Sequence, residues 1–166
     1  MRATLFAVAL LAGFASVSEA KGSSSCHLEG GLVTLPGVHR NGHGPAFIMG
    51  IELEIGAACE LAEYFELFFA FGGGVEVPHI AGGPTATLGW LIPFRDKFGL
   101  GVSATGFVTF VGRNFEDGGI YAGPLFTAQF AKHVGVAVGP QFRWAHEHQT
   151  GDDDWGGLLL IQLIVN

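Results

Sequence analysis

From Phe47 to Leu61 the chain alternates with a period of two. Odd positions carry Phe47, Met49, Ile51, Leu53, Ile55, Ala57, Cys59 and Leu61, and even positions carry Ile48, Gly50, Glu52, Glu54, Gly56, Ala58 and Glu60. A strand sends successive side chains to opposite faces, so this stretch predicts a strand with one continuously apolar face and one small or acidic face. The period returns after each short turn. It predicts eight strands, over Cys26–Val38, Ala46–Ala58, Tyr64–Val77, Thr85–Phe94, Phe98–Gly112, Gly119–Ala131, Val134–His146 and Trp155–Asn166. Most are near the roughly 9–11 residues that a tilted strand needs to cross a bilayer. Pro124 and Pro140 predict bulges or strand ends within their segments, because proline cannot donate to a ladder.

Register tests the faces. Folding Phe98–Gly112 back on Thr85–Phe94 opposes Phe94 with Phe98, Ile92 with Leu100, Trp90 with Val102 and Leu88 with Ala104, all on one face. Through Lys132 the same exercise opposes Phe130 with Val134, Ala128 with Val136 and Phe126 with Val138. The last hairpin sets Trp144, Phe142 and Pro140 against Gly157, Leu159 and Ile161. A slip of one residue would mix the faces. The first hairpin, turning at Asn41-Gly42-His43, sets Leu28 against Ala57 and Leu32 against Leu53 and brings Cys26 opposite Cys59. Directly opposed residues lie about 4.5–5.5 Å apart, within reach of a disulfide. A Cys26–Cys59 bond is therefore expected, with free thiols as the alternative. Lipidation of Cys26 is disfavoured, because Ser23-Ser24-Ser25 lacks the upstream leucine of a lipobox.

The connections sort by length. Cys59–Glu63, Arg95–Lys97 and Lys132–His133 are tight, whereas His39–Pro45, Pro78–Pro84, Arg113–Gly118 and Glu147–Asp154 are longer and carry glycine with histidine or acid. One face of the sheet collects Phe47, Phe65, Phe69, Trp90, Phe110, Phe126, Phe142 and Trp155. The other is mostly Gly, Ala, Ser and Thr, with Glu29, Glu52, Glu54, Glu66, Gln129, Arg143 and Gln162. A soluble lipocalin-like carrier would turn the apolar face inward and a dense charged layer outward. The second face is too sparsely charged for that and suits a narrow interior, so the apolar face is expected to meet lipid.

The ends and the charge agree. Arg2, the apolar run Ala3–Val17 and the small-residue phrase Ser18-Glu19-Ala20 predict a signal peptide over residues 1–20, followed by a flexible lead over 21–25 and the barrel over 26–166. The formal net charge of −7 disfavours nucleic acid as a partner. No segment after residue 20 approaches the roughly 18 apolar residues of a spanning helix.

On this pattern, on the turn–loop alternation, and on the phrases Gly123-Pro124-Leu125-Phe126 and Gly139-Pro140-Gln141-Phe142, the chain resembles the small eight-stranded outer-membrane β-barrel proteins of Gram-negative bacteria. The resemblance implies an all-β, antiparallel, up-and-down transmembrane barrel. It also implies a bacterial outer-membrane location after export, with outer-membrane lipids and the barrel assembly machinery as partners, and a monomer without a cofactor. Such barrels usually end in phenylalanine, whereas this chain ends Leu163-Ile164-Val165-Asn166.

Three groups are candidates for chemistry. Glu52, Glu54, Glu66 and Arg143 point inward and are expected to form a charge network, with Glu52 as the first partner of Arg143 and Glu54 as the next. That network reads either as a structural plug or as a narrow ion path. His39, His43, His79, His146 and His148 map to the longer-loop side, near Glu147 and Asp152-Asp153-Asp154. Imidazole with carboxylate suits zinc, copper or nickel, though no short metal motif is complete. Finally, His146-Glu147-His148 resembles the site where the lipid A deacylase barrels carry a His-x-Ser pair. There His146 would be the general base, but His148 stands where the nucleophilic serine should be. The leading expectation is a non-enzymatic barrel serving envelope integrity, adhesion or loop display, with the lumen closed or very narrow.

Overall fold

A computed structural model describes residues 26–165 apart from 42–43, 63–64, 78–80, 95–96 and 113. The expected signal peptide over 1–20 and lead over 21–25 lie outside the described residues, as do His43 and His79. The alternation becomes eight strands: β1 (Cys26–Asn41), β2 (Gly44–Ala62), β3 (Phe65–Val77), β4 (Ala81–Phe94), β5 (Phe98–Val111), β6 (Asn114–Ala131), β7 (Val134–Glu147) and β8 (Asp153–Val165). Each pairs antiparallel with the next, and β8 pairs with β1, closing the barrel. Closure leaves no free edge strand, which is what a sheet in hydrocarbon requires.

The strands outrun their expected bounds. Most of the residues assigned to longer loops belong to the ladders, and only two to five residues separate the strands at that end. The expected asymmetry between short turns and long loops is therefore reduced to the five residues between β7 and β8, against two or three between the other consecutive strands. A continued ladder satisfies backbone donors and acceptors directly, and Gly44, Pro45 and Gly118 are paired within it. The β7–β8 turn is closed by Glu147 N–H donating to Asp152 O at 2.9 Å and Gly151 N–H donating to Glu147 O at 2.9 Å. Gly151 has φ +76°, a conformation that favours glycine. The 19 residues of β2 extend about 60 Å at roughly 3.3 Å each, which even when tilted exceeds the roughly 30 Å hydrocarbon core.

The expected pairings hold in the first hairpin, with Cys26 opposite Cys59 and Leu32 opposite Leu53, and in the β4–β5 hairpin, with Trp90 opposite Val102. The β6–β7 hairpin keeps Phe126–Val138 and Ala128–Val136. A bulge beyond Gln129, however, pairs Val134 with Ala131 and not with Phe130. The last hairpin sits two residues from expectation, with Trp144 opposite Trp155 and Phe142 opposite Gly157. A two-residue shift preserves the faces, so the apolar pattern cannot detect it.

The faces decide the architecture. Phe47, Leu53, Leu88, Trp90, Phe126, Phe142 and Trp155 all lie outward and exposed. The interior holds an apolar collar of Val33, Leu35, Ile48, Phe107, Leu125, Leu158 and Leu160 that the small-residue expectation missed. Glycine on β3 makes room for the acids beside it. A Cβ on Gly72 would meet Glu54 Cγ at 2.9 Å, and one on Gly74 would meet Glu52 Cγ at 2.5 Å. At the end opposite the β1–β2 turn, called the base below, Cys26 and Cys59 have Cα atoms 4.1 Å apart and bonded sulfurs. Intact mass before and after reduction should show a gain of about two hydrogens, in line with a bond that staples the end of β1. An unchanged mass would refute the bond.

Candidate functional site

Among the described residues, the buried charged side chains Glu52, Glu54, Arg143 and Asp154 all lie in the lumen. Inward positions are odd on β1, β4, β5, β6 and β7 and even on β2, β3 and β8. Long side chains from all eight strands therefore meet along one axis, and they sort into three levels.

The upper level, nearest the β1–β2 turn, centres on Arg143, whose side chain is 2 % exposed. Its guanidinium meets Asp154 at 2.9 Å, Asp117 at 3.3 Å and Glu76 at 3.5 Å, and it lies 5.0 Å from the centroid of the Phe107 ring. His39 Nδ1 hydrogen-bonds Asp154, and Thr109 donates to Asp117. The expected pairing of Arg143 with Glu52 is corrected here. Three other carboxylates, on β3, β6 and β8, converge on the guanidinium because the strands extend through Asp117 and Asp154, which the sequence reading assigned to loops.

The middle level holds Glu52 and Glu54. The Tyr121 hydroxyl donates to Glu52 at 2.9 Å. Glu54 accepts from Thr87 at 2.6 Å and from Gln162 at 3.2 Å, and Thr87 lies 2.8 Å from Thr105. Hydroxyls and an amide, not the arginine, satisfy these two acids. Between the upper and middle levels remains a cavity of about 30 Å³ bordered by Arg143, Glu52, Glu76 and Tyr121, room for about one water. Arg143, Tyr121, Glu52 and Glu54 are all buried and project into the bore at these levels.

The lower level, at the base, contains Glu66, which joins neither Arg143 nor the other two acids. It lies with Glu29 and His27, and the ligating atoms of the three are within 4.8 Å of one another. His27 Nε2 is 3.1 Å from Glu29 Oε1. A cavity of about 320 Å³ borders them, lined also by Glu60, Lys97 and Phe68. Sequence reasoning missed His27, although its spacing of two from Glu29 put both on the inward face.

The loop-side histidines do not gather into a metal centre among the described residues. His39 is held inside by Asp154. His148 packs 5.1 Å from the Phe115 ring centroid. His146 lies on the outer face, as its parity requires, with Nδ1 3.0 Å from Asp153 Oδ1. The neighbouring hydroxyl of Thr150 donates to Glu147 at 2.9 Å, not to His146.

No protein-family model matches the chain, and no curated protein matches it in sequence. Among solved structures it is similar to Neisserial surface protein A, with a TM-score of 0.53 at 11% identity, covering 85% of this chain and 98% of that one. It also aligns with a de novo designed transmembrane β-barrel, with a TM-score of 0.42 at 14% identity, over 81% of this chain and 93% of the other. The fold shared with the first of these is the closed, eight-stranded antiparallel barrel, which this chain carries with its apolar face outward.

Proposed function

We propose that this chain is a non-enzymatic outer-membrane barrel with a closed lumen, contributing to envelope integrity by its presence in the lipid. The observation that carries the reading is a belt of exposed apolar side chains around an interior crossed by buried, paired charges. A lipocalin-like carrier needs the reverse orientation of faces, so that alternative falls. Adhesion through displayed loops has less support, since so few residues separate the strands at the β1–β2 turn end. Export and insertion by the barrel assembly machinery belong to the same proposal.

Reconstitution in planar lipid bilayers tests the closed lumen. Folded barrel, recognised by its heat-modifiable gel mobility, should add no discrete conductance steps. Regular steps, abolished on unfolding, would overturn the plug and favour the narrow ion path. A second reading, a lipid A acyl hydrolase with His146 as base, is favoured by the His146–Asp153 pair on the lipid-facing side. It lacks a hydroxyl nucleophile bonded to His146 among the described residues. Incubation with lipid A should release no fatty acid, and release that His146→Ala removes would establish the enzyme instead.

A further inference from the structure

The base of the lumen carries a cluster that the plug does not use. His27 and Glu29 stand two apart on β1 and share its inward face, while Glu66 reaches them from β3. Between them runs β2, which sets Ala58 opposite His27, Gly56 opposite Glu29 and Glu60 opposite Glu66. Gly56 and Ala58 carry no long side chain, so the imidazole and the two carboxylates meet across β2, with Glu60 standing beside Glu66 at the edge of the same cavity. We propose that His27, Glu29 and Glu66 form a binding site for a divalent first-row transition ion of the zinc class.

The donor set and the space both fit. One imidazole nitrogen with two carboxylates is a mixed N/O set that such ions accept, with water filling the remaining position. Donors on one tetrahedral ion, each about 2.0–2.2 Å away, lie roughly 3.3–3.5 Å from each other. His27 Nε2 and Glu29 Oε1 are 3.1 Å apart, and the widest separation in the cluster, within 4.8 Å, closes by rotation of a glutamate side chain. The adjoining cavity of about 320 Å³ leaves room for bound water and for entry. Glu60 borders the same cavity and adds negative charge. Bringing these carboxylates together costs repulsion that a divalent cation at their centre removes. Lys97, also on the cavity wall, is the rival counter-charge.

Folded full-length barrel in detergent, titrated with Co²⁺ by absorbance and with Zn²⁺ by calorimetry, tests the site. One ion per barrel is expected, with Zn²⁺ displacing Co²⁺. His27→Ala and Glu66→Gln should each weaken binding roughly tenfold or more, and Lys97→Gln should not weaken it. His148→Ala, at the other end, should leave binding unchanged. Gel mobility confirms that each variant is folded, and Glu29→Gln serves if one of the first pair is not. Absence of binding would overturn the proposal. So would binding that survives both His27→Ala and Glu66→Gln, or binding that His148→Ala removes.

Discussion

Arg143→Met should destabilise the folded barrel by about 3–5 kcal/mol, the cost of leaving buried charges without their partner. Asp154, Asp117 and Glu76 converge on this one guanidinium, and His39 is tied to the same network through Asp154. Methionine keeps much of the volume and the packing against Phe107 but none of the charge. Arg143→Lys keeps the charge yet loses the planar fork that can address several carboxylates at once, so an intermediate loss is expected. Urea unfolding in detergent, followed by tryptophan emission and gel mobility, provides the measurement. In a double-mutant cycle, Arg143 should couple strongly to Asp154 and more weakly to Glu52, whose hydrogen bond comes from Tyr121. Wild-type stability in Arg143→Met, or strict additivity with Asp154→Asn, would contradict the plug.

Leu88→Arg should cost about 2–4 kcal/mol if its face lies in the middle of a bilayer. Leu88 stands at mid-strand in β4, exposed, between Phe69 on β3 and Ala104 on β5. Leu100 faces outward too, but it is only two positions from the start of β5. Leu100→Arg should therefore cost less, since an arginine near the interface reaches polar headgroups. The difference between the two variants matters more than either value. Stability measured in lipid vesicles checks it, and equal, negligible effects at both positions would mean that the face is not lipid-exposed.

The fold was legible because strict alternation fixes the strand and its two faces together. The short turns at Arg95–Lys97 and Asn41–His43 then left one register that kept apolar residues on one side. The bulge after Gln129 was not legible, since bulges answer to local twist more than to side-chain polarity. Nor was the two-residue offset at Trp144–Trp155, because a register change by two exchanges one outward residue for another.

The site was legible in part. Parity sent Glu52, Glu54, Glu66 and Arg143 inward, and all four lie there. Which of them meet depends on strand length and on heights around a closed ring, which no single hairpin reveals. Asp117 and Asp154 were placed in connections, although their parity matched the inward faces of β6 and β8. Extending the alternation by two residues before Gly119 and by one before Trp155 would have recovered both, and with them two of the partners of Arg143.

The three tryptophans, Trp90, Trp144 and Trp155, all lie on outward positions, so their emission tests the central claim, an apolar face in contact with lipid. The protein reconstituted into vesicles should be quenched strongly by lipids brominated on their acyl chains and only weakly by acrylamide in the water. Strong acrylamide quenching with no effect of brominated lipid would place the aromatic face in water and contradict the account.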